Sequence, residues 1–226
     1  TLAHGEETVT VGLDDGTQIT GKALLITAGI GKFSPRPLPV GDAWLGRGME
    51  FFVPSFDPYV DKDVVIVGGG VIGTSIAYHL TKVGVTDVLL LERHQLTAGT
   101  TWHAAGLITS AGFTDETTLW MAEYSRDLYE RLEEETGLAT GFMKIGHLHL
   151  ATSPQRLEAM RREHAFQSGF GVESHLIGAA EVAEMWPMAR VDDVLGAIYN
   201  PNDGRANPVD VTMSMARGAR DGGARI

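Results

Sequence analysis

Hydrophobic and polar positions change their period along the chain. In residues 6–31, Val9, Val11 and Leu13 alternate with Thr and Gly, and Ile19 resumes beyond Asp14-Asp15-Gly16. Period-two alternation around an Asp-Gly turn predicts a hairpin. Ala23-Leu24-Leu25-Ile26 is an unbroken apolar run ending in Thr27-Ala28-Gly29, which predicts a buried strand leaving into a glycine turn. Residues 34–60 then hold five of the nine prolines, Pro35, Pro37, Pro39, Pro54 and Pro58. That density disfavours helix and predicts a connection or edge segment. A domain boundary is therefore expected near Asp61, with a β-rich partial segment and Pro-rich connection over 1–60 and a second region over 61–226.

From Asp63 the pattern becomes βαβ. Val64-Val65-Ile66-Val67 and Val88-Leu89-Leu90-Leu91 read as buried parallel strands, with a helix from Thr74 to Val83 between them and Gly84 past its end. Further helices are expected near 115–136, 153–168, 179–186 and after Pro208, and strands near 145–151 and 194–199. Met121, Tyr124, Leu128 and Leu132 form a helical stripe opposite Glu123, Asp127, Glu130 and Glu134, the pattern of an amphipathic helix on a core. Glu133, Glu134 and Glu135 read as a solvated face. No internal repeat stands out.

Composition narrows the chemistry. The 226 residues contain no cysteine, which excludes disulfides, zinc-thiolate sites, iron–sulfur clusters and cysteine nucleophiles. A net charge of −11 argues against nucleic acid or an anionic membrane as the main partner. The most apolar stretch, Val64 to Leu80, is short and broken by four glycines, so it is not read as a membrane span. The 28 glycines exceed the usual content of about 7% and point to many tight turns. The chain opens on Thr1 and closes on Gly-Ala-Arg-Ile as a strand begins, so a fragment is expected. With no targeting signal visible, a cytoplasmic protein is expected, or a mitochondrial-matrix one if a targeting segment has been lost.

Gly68, Gly70 and Gly73 fit G-x-G-x-x-G after a strand and opening a helix. The first glycine permits the tight turn, the second lets backbone approach a pyrophosphate, and the third lets helix and strand pack closely. Glu92 closes the second strand 19 residues beyond Gly73, where a carboxylate hydrogen-bonds ribose hydroxyls. The combination predicts dinucleotide binding. A carboxylate at Glu92 repels the 2′-phosphate of NADP and favours FAD or NAD. Arg93 beside it weakens that exclusion, and spacing alone does not separate FAD from NAD.

His147 and His149 share one face of a strand, but no third metal ligand is evident, so a structural or surface role is expected and no metal site. Asn202-Asp203-Gly204 and Asn207-Pro208 read as a turn followed by a helix with Pro at its first position. Spacing supports neither a Ser-His-Asp set nor a carboxylate pair, so catalytic residues stay unassigned.

From about residue 63 onward the chain resembles the dimethylglycine and sarcosine dehydrogenases, flavoproteins of the D-amino-acid-oxidase-like superfamily. The resemblance runs through Leu96-Thr97-Ala98-Gly99-Thr100-Thr101-Trp102-His103-Ala104-Ala105-Gly106-Leu107, through Tyr129 to Gly137, and through Tyr199-Asn200-Pro201-Asn202-Asp203-Gly204. It implies an α/β fold with a Rossmann-type FAD-binding core at about 63–110 and an added α+β region. It implies that His103 carries FAD covalently and that Gly99 to Leu107 line the flavin side of the pocket. Val71, Ile72, Glu92 and Arg93 would then contact the adenosine half. The implied reaction of the intact parent is oxidative demethylation of a small N-methylated amino acid by hydride transfer to flavin. An electron acceptor such as an electron-transfer flavoprotein would reoxidise it.

Residues 1–62 resemble instead the central part of thioredoxin-reductase-like ferredoxin–NADP reductases, through Thr8 to Pro39 and the opening Asp61-Lys62-Asp63-Val64-Val65-Ile66-Val67-Gly68-Gly69-Gly70. The chain is therefore expected to be a chimera of two partial reading frames. A reductase of the thioredoxin-reductase type using NAD(P)H and FAD, and a catalytically inactive fragment, stand as alternatives.

Overall fold

The computed structural model describes residues 2–4, 9–12, 18–21, 55, 57–60 and 62–226. The Asp14-Asp15-Gly16 turn, the Ala23–Ile26 run and Pro35, Pro37, Pro39 and Pro54 lie outside them. The chain divides into two compact units, Thr1–Pro54 and Ser55–Ile226. In the first, β1 (Leu2–His4), β2 (Val9–Gly12) and β3 (Gln18–Gly21) form an antiparallel sheet in that order. Val11 pairs with Ile19, as alternation either side of a turn requires. β1 carries too little alternation to be read from sequence.

The second unit begins with β4 (Val64–Val67), α1 (Val71–Lys82) and β5 (Val88–Leu91), a parallel pair in which Val64 faces Val88 and Val67 faces Leu91. The chain end extends this sheet. Leu90 N donates to Arg225 O at 2.8 Å and Arg225 N to Val88 O at 2.9 Å, so the expected strand start at the terminus pairs alongside β5. The helices α2 (Glu116–Thr136) and α5 (Pro208–Asp221) complete the layer over α1. Ile66, Leu80, Val88, Leu90, Leu128, Leu132, Val211 and Met215 are buried among them. Among the described residues, α1 packs on β4 and β5, α5 packs on α1, and α2 on α5. Val65 is 60% and Val67 62% exposed, which corrects the expectation that β4 and β5 are buried on both faces.

Helix ends follow their cap residues. Asp115 accepts from Thr118 N at 2.8 Å, and Gly137 closes α2 with φ +72°. Asn207 accepts from Val209 N before Pro208 opens α5, as the Asn-Pro pair predicts. The stripe on α2 departs from expectation. Leu119, Leu128, Leu132 and Thr136 are buried, whereas Met121 is 56% exposed. At about 100° per residue, Leu119 and Leu128 lie roughly half a turn apart, so the two ends of the helix bury different faces. Glu123 shares the Leu119 face and turns inward to Ser110 and Arg126.

Glu135 is also not simply solvated. It accepts from Tyr78 Oη and from Lys82 Nζ at 2.7 Å on α1, and from Arg131 Nε at 2.9 Å. The Lys82 and Tyr78 hydrogen bonds hold its carboxyl down to about 2. Burial, then the neighbouring Glu135, push the Tyr78 phenol up.

The remaining chain forms a second antiparallel sheet, β7 (His147–Ala151), β9 (Gly196–Asn200) and β8 (His175–Ile177), in the order β7-β9-β8. Helices α3 (Pro154–Gly169) and α4 (Ala179–Met185) pack on it. Ala151, Met160 and Ile198 form its small core. A short antiparallel pair, β6 (Leu107–Ile108) with β10 (Gly204–Arg205), joins the two halves. Among the described residues no helix is long and apolar enough to cross a membrane.

Candidate functional site

The C-terminal edge of β4 and β5 collects the sequence-predicted residues. Gly68 N donates to Leu91 O at 2.8 Å, tying the glycine turn to the end of β5. Gly68 has φ +116°, and a Cβ there would meet nothing within 4 Å, so the turn presents bare backbone to open space. Gly73 is required for packing, since a Cβ there would lie 1.9 Å from Gly68 O. The turn leads into the N-terminus of α1, where Gly70 supplies no side-chain cap. First-turn amides lack intrahelical acceptors and carry the positive end of the helix dipole, which suits an anion.

Glu92 leaves β5 and folds back on the turn. Its Oε2 accepts from Gly69 N at 2.7 Å and its Oε1 from His94 N at 3.1 Å. These backbone bonds, led by Gly69, hold its carboxyl below the usual carboxylate range. The group is therefore ionised and fixed, with oxygen lone pairs left for a sugar hydroxyl. Arg93 is exposed beside it. Gly69 was not singled out in sequence, yet it also accepts from Thr97 N at 2.9 Å. Thr97 holds φ +71°, the one non-glycine positive φ among the described residues. A β-branched residue in that region is strained.

A 3-10 turn, Thr101–His103, follows. Thr101 is 6% exposed and its Oγ1 accepts from Val71 N at 3.0 Å, so this segment docks on the first amide of α1. Gly99, Thr100, Trp102, His103, Ala104 and Ala105 are exposed. The Trp102 ring leans on His103, with centroids 3.7 Å apart and planes at 33°. Gly106 pins the far end. With φ +73°, it accepts from Ala206 N at 2.8 Å, and a Cβ would lie 2.2 Å from Ala206 O. Leu107 and Ile72 are 65% and 74% exposed. The structure thus brings Gly68, Gly70, Val71, Ile72, Gly73, Glu92 and the 99–107 segment to one edge, with open backbone, a fixed carboxylate and exposed apolar side chains.

A second polar cluster lies where β6 meets α2, α3 and the β9–β10 turn. Asp203, 1% exposed, accepts from Ser110 N, Ser110 Oγ and Thr109 Oγ1, each at 2.9 Å. Gln167 donates to Ser110 O at 2.9 Å, and Asn200 to Gln167 Oε1 at 3.0 Å. The Asn202-Asp203-Gly204 turn was legible, but not its role as a buried joint, because its partners lie over ninety residues away. His147 contacts Thr109 Oγ1 at 3.3 Å, and His149 meets Arg156. Burial, then Arg156, lower the His149 imidazole. No group of three or more ligand-type side chains that could hold a metal occurs among the described residues.

Comparison with known proteins gives two family matches that overlap over residues 63–116. The profile described as FAD dependent oxidoreductase matches residues 63–226, and that described as pyridine nucleotide-disulphide oxidoreductase matches residues 1–116. Mitochondrial dimethylglycine dehydrogenase of Rattus norvegicus is 43% identical over 175 residues, covering 76% of this chain and 20% of that protein. Human mitochondrial sarcosine dehydrogenase is 40% identical, covering 73% and 18%. A ferredoxin–NADP reductase from a Nocardioides species is 66% identical over 85 residues, covering 38% and 26%. The crystal structure of L-proline dehydrogenase from P. horikoshii superposes with a TM-score of 0.67 at 31% identity, covering 72% of this chain and 42% of that one. The chain spans about a fifth of the length of the two mitochondrial dehydrogenases. Joined at its N-terminal side to sequence of the pyridine nucleotide-disulphide oxidoreductases, the chain belongs, over residues 63–226, to the FAD dependent oxidoreductase family.

Proposed function

We propose that the second unit holds FAD across the glycine turn and the 99–107 segment. In this reading it is the cofactor-binding part of an enzyme that oxidises small N-methylated amino acids. The observation that carries this is the convergence at one helix end of open backbone at Gly68, an ionised Glu92 and the Thr101-docked turn bearing His103. The α1 amides that follow Val71 would hold the pyrophosphate, and Glu92 a ribose hydroxyl, disfavouring a 2′-phosphate. Trp102, His103 and Leu107 would line the flavin ring. The substrate class rests on relatives named for dimethylglycine, sarcosine and 4-methylaminobutanoate. Bound FAD supplies a two-electron acceptor for a hydride from the N-methyl carbon, and an electron-transfer flavoprotein is a fitting partner to reoxidise it. The chain's own contribution is orientation and exclusion of the wrong nucleotide.

His103 is proposed as the covalent anchor. Its ring nitrogen would bond the methyl carbon at the flavin edge, with one methyl hydrogen and the imidazole N–H given up as protons and the electron pair passing through the flavin to dioxygen, which would leave as hydrogen peroxide. The test is acid precipitation of the chain expressed with FAD. Flavin absorbance staying in the pellet, and released by His103→Ala, is expected. Flavin wholly in the supernatant overturns the covalent link, and NADPH bound in preference to FAD overturns the cofactor assignment.

A further inference from the structure

We propose that Thr101 is a positioning residue, whose hydroxyl sets the orientation of His103 for attachment by fastening its turn to the helix α1. The inference rests on the FAD reading above. Gly70 has no side chain to cap α1, and the acceptor for Val71 N comes instead from thirty residues along the chain. Thr101 is buried while its neighbours Thr100, Trp102 and His103 are exposed, so its side chain serves the protein rather than solvent. A Cβ on Gly70 would approach Thr101 Oγ1 to 2.9 Å, which shows how closely the turn sits on the glycine loop.

The link from Thr101 to His103 is short and rigid. Ala104 N donates to Thr101 O and His103 N to Thr100 O, both at 3.1 Å, so the His103 peptide is enclosed in the turn that Thr101 begins. At the far end, Gly106 is fixed to Ala206. The segment is thus a strap held at two points, with Trp102 and His103 on its free span. Releasing one point moves the span relative to the amides proposed to hold the pyrophosphate. Bond formation between fixed groups is sensitive to such movement, with about 1 Å of misplacement costing roughly a hundredfold.

The experiment compares wild type, Thr101→Val and Thr101→Ser, each expressed as the full chain with FAD. Total bound flavin is read on the native protein and covalent flavin on the acid pellet. Expected is a Thr101→Val protein in which the rate of covalent incorporation per bound flavin falls about tenfold or more. Thr101→Ser, which restores the oxygen, should recover that rate. Thr101→Ala serves as the second variant where valine lowers the melting temperature. An unchanged covalent rate in Thr101→Val overturns the assignment. Loss of total and covalent flavin in parallel also overturns it, because Thr101 would then act on FAD itself. A wild type without covalent flavin refutes the proposed anchor at its root, an outcome distinct from a covalent wild type with an indifferent Thr101.

Discussion

The dinucleotide edge and the Asp203 joint are both polar, and they are built in opposite ways. At the edge, nearly every fixed hydrogen bond uses a backbone amide, from Gly68, Gly69, Val71, His94 or Thr97. At the joint, side chains of Thr109, Ser110, Gln167, Asn200 and Asp203 supply most of the groups and are buried or half-buried. The edge leaves backbone facing open space, as a ligand site requires. The joint closes on itself except at Asn200 Oδ1, which is buried without a hydrogen-bond partner. Backbone sites turn on whether a Cβ fits, and side-chain joints on whether every buried group keeps its partner.

Two substitutions press on this contrast. Gly73→Ala is expected to have the largest effect, since its Cβ would lie 1.9 Å from the Gly68 carbonyl and meets backbone rather than a side chain that can swing away. The turn must open, at a cost above about 3 kcal/mol, and flavin retention should be lost with it. Native flavin absorbance and thermal melting check both effects together. Asp203→Ala should be nearly as costly to stability, about 2–3 kcal/mol, because it leaves Ser110 N–H buried without an acceptor. Its folded fraction should still bind flavin as wild type does. A folded Asp203→Ala protein unable to hold flavin would break the separation between the two regions.

The same contrast explains what was legible in the sequence. Backbone geometry at the edge leaves its mark as local glycines, and Glu92 sits at a fixed distance along a βαβ unit, so that region could be read directly. The overlap of both family profiles over 63–116 has this cause, because the βαβ unit is common to them. Helix limits were legible wherever a cap announced them, at Asp115, Ser153 and Asn207. The joint was not, since Thr109 and Asp203 are 94 residues apart and nothing local marks their meeting. Short β6, β8 and β10 have two or three residues each, too few for a period. Met121 was misplaced because a single stripe was assumed for a helix whose buried face turns along its length. The bare face at Val65 and Val67 is not legible because an unbroken apolar run reads as a strand buried on both faces.

The contact of α2 with α1 at Glu135 is intermediate between these two constructions, built from side chains but partly open to water, and should show the smallest effect. Its carboxyl sits near 2 in the folded chain against an ordinary value of 4.5. A depressed folded value means that the stabilisation is fully present above the ordinary value and is lost as pH falls through about 2. The side chain is 26% exposed, so screening reduces the contribution to about 1–2 kcal/mol. Melting temperatures followed from pH 7 to pH 2 should therefore fall more steeply for wild type than for Glu135→Gln. The two curves should be separated near neutrality and meet at the acid end. A constant separation across that range would mean that the carboxylate's charge contributes nothing, and that Tyr78, Lys82 and Arg131 gather around Glu135 for its shape alone.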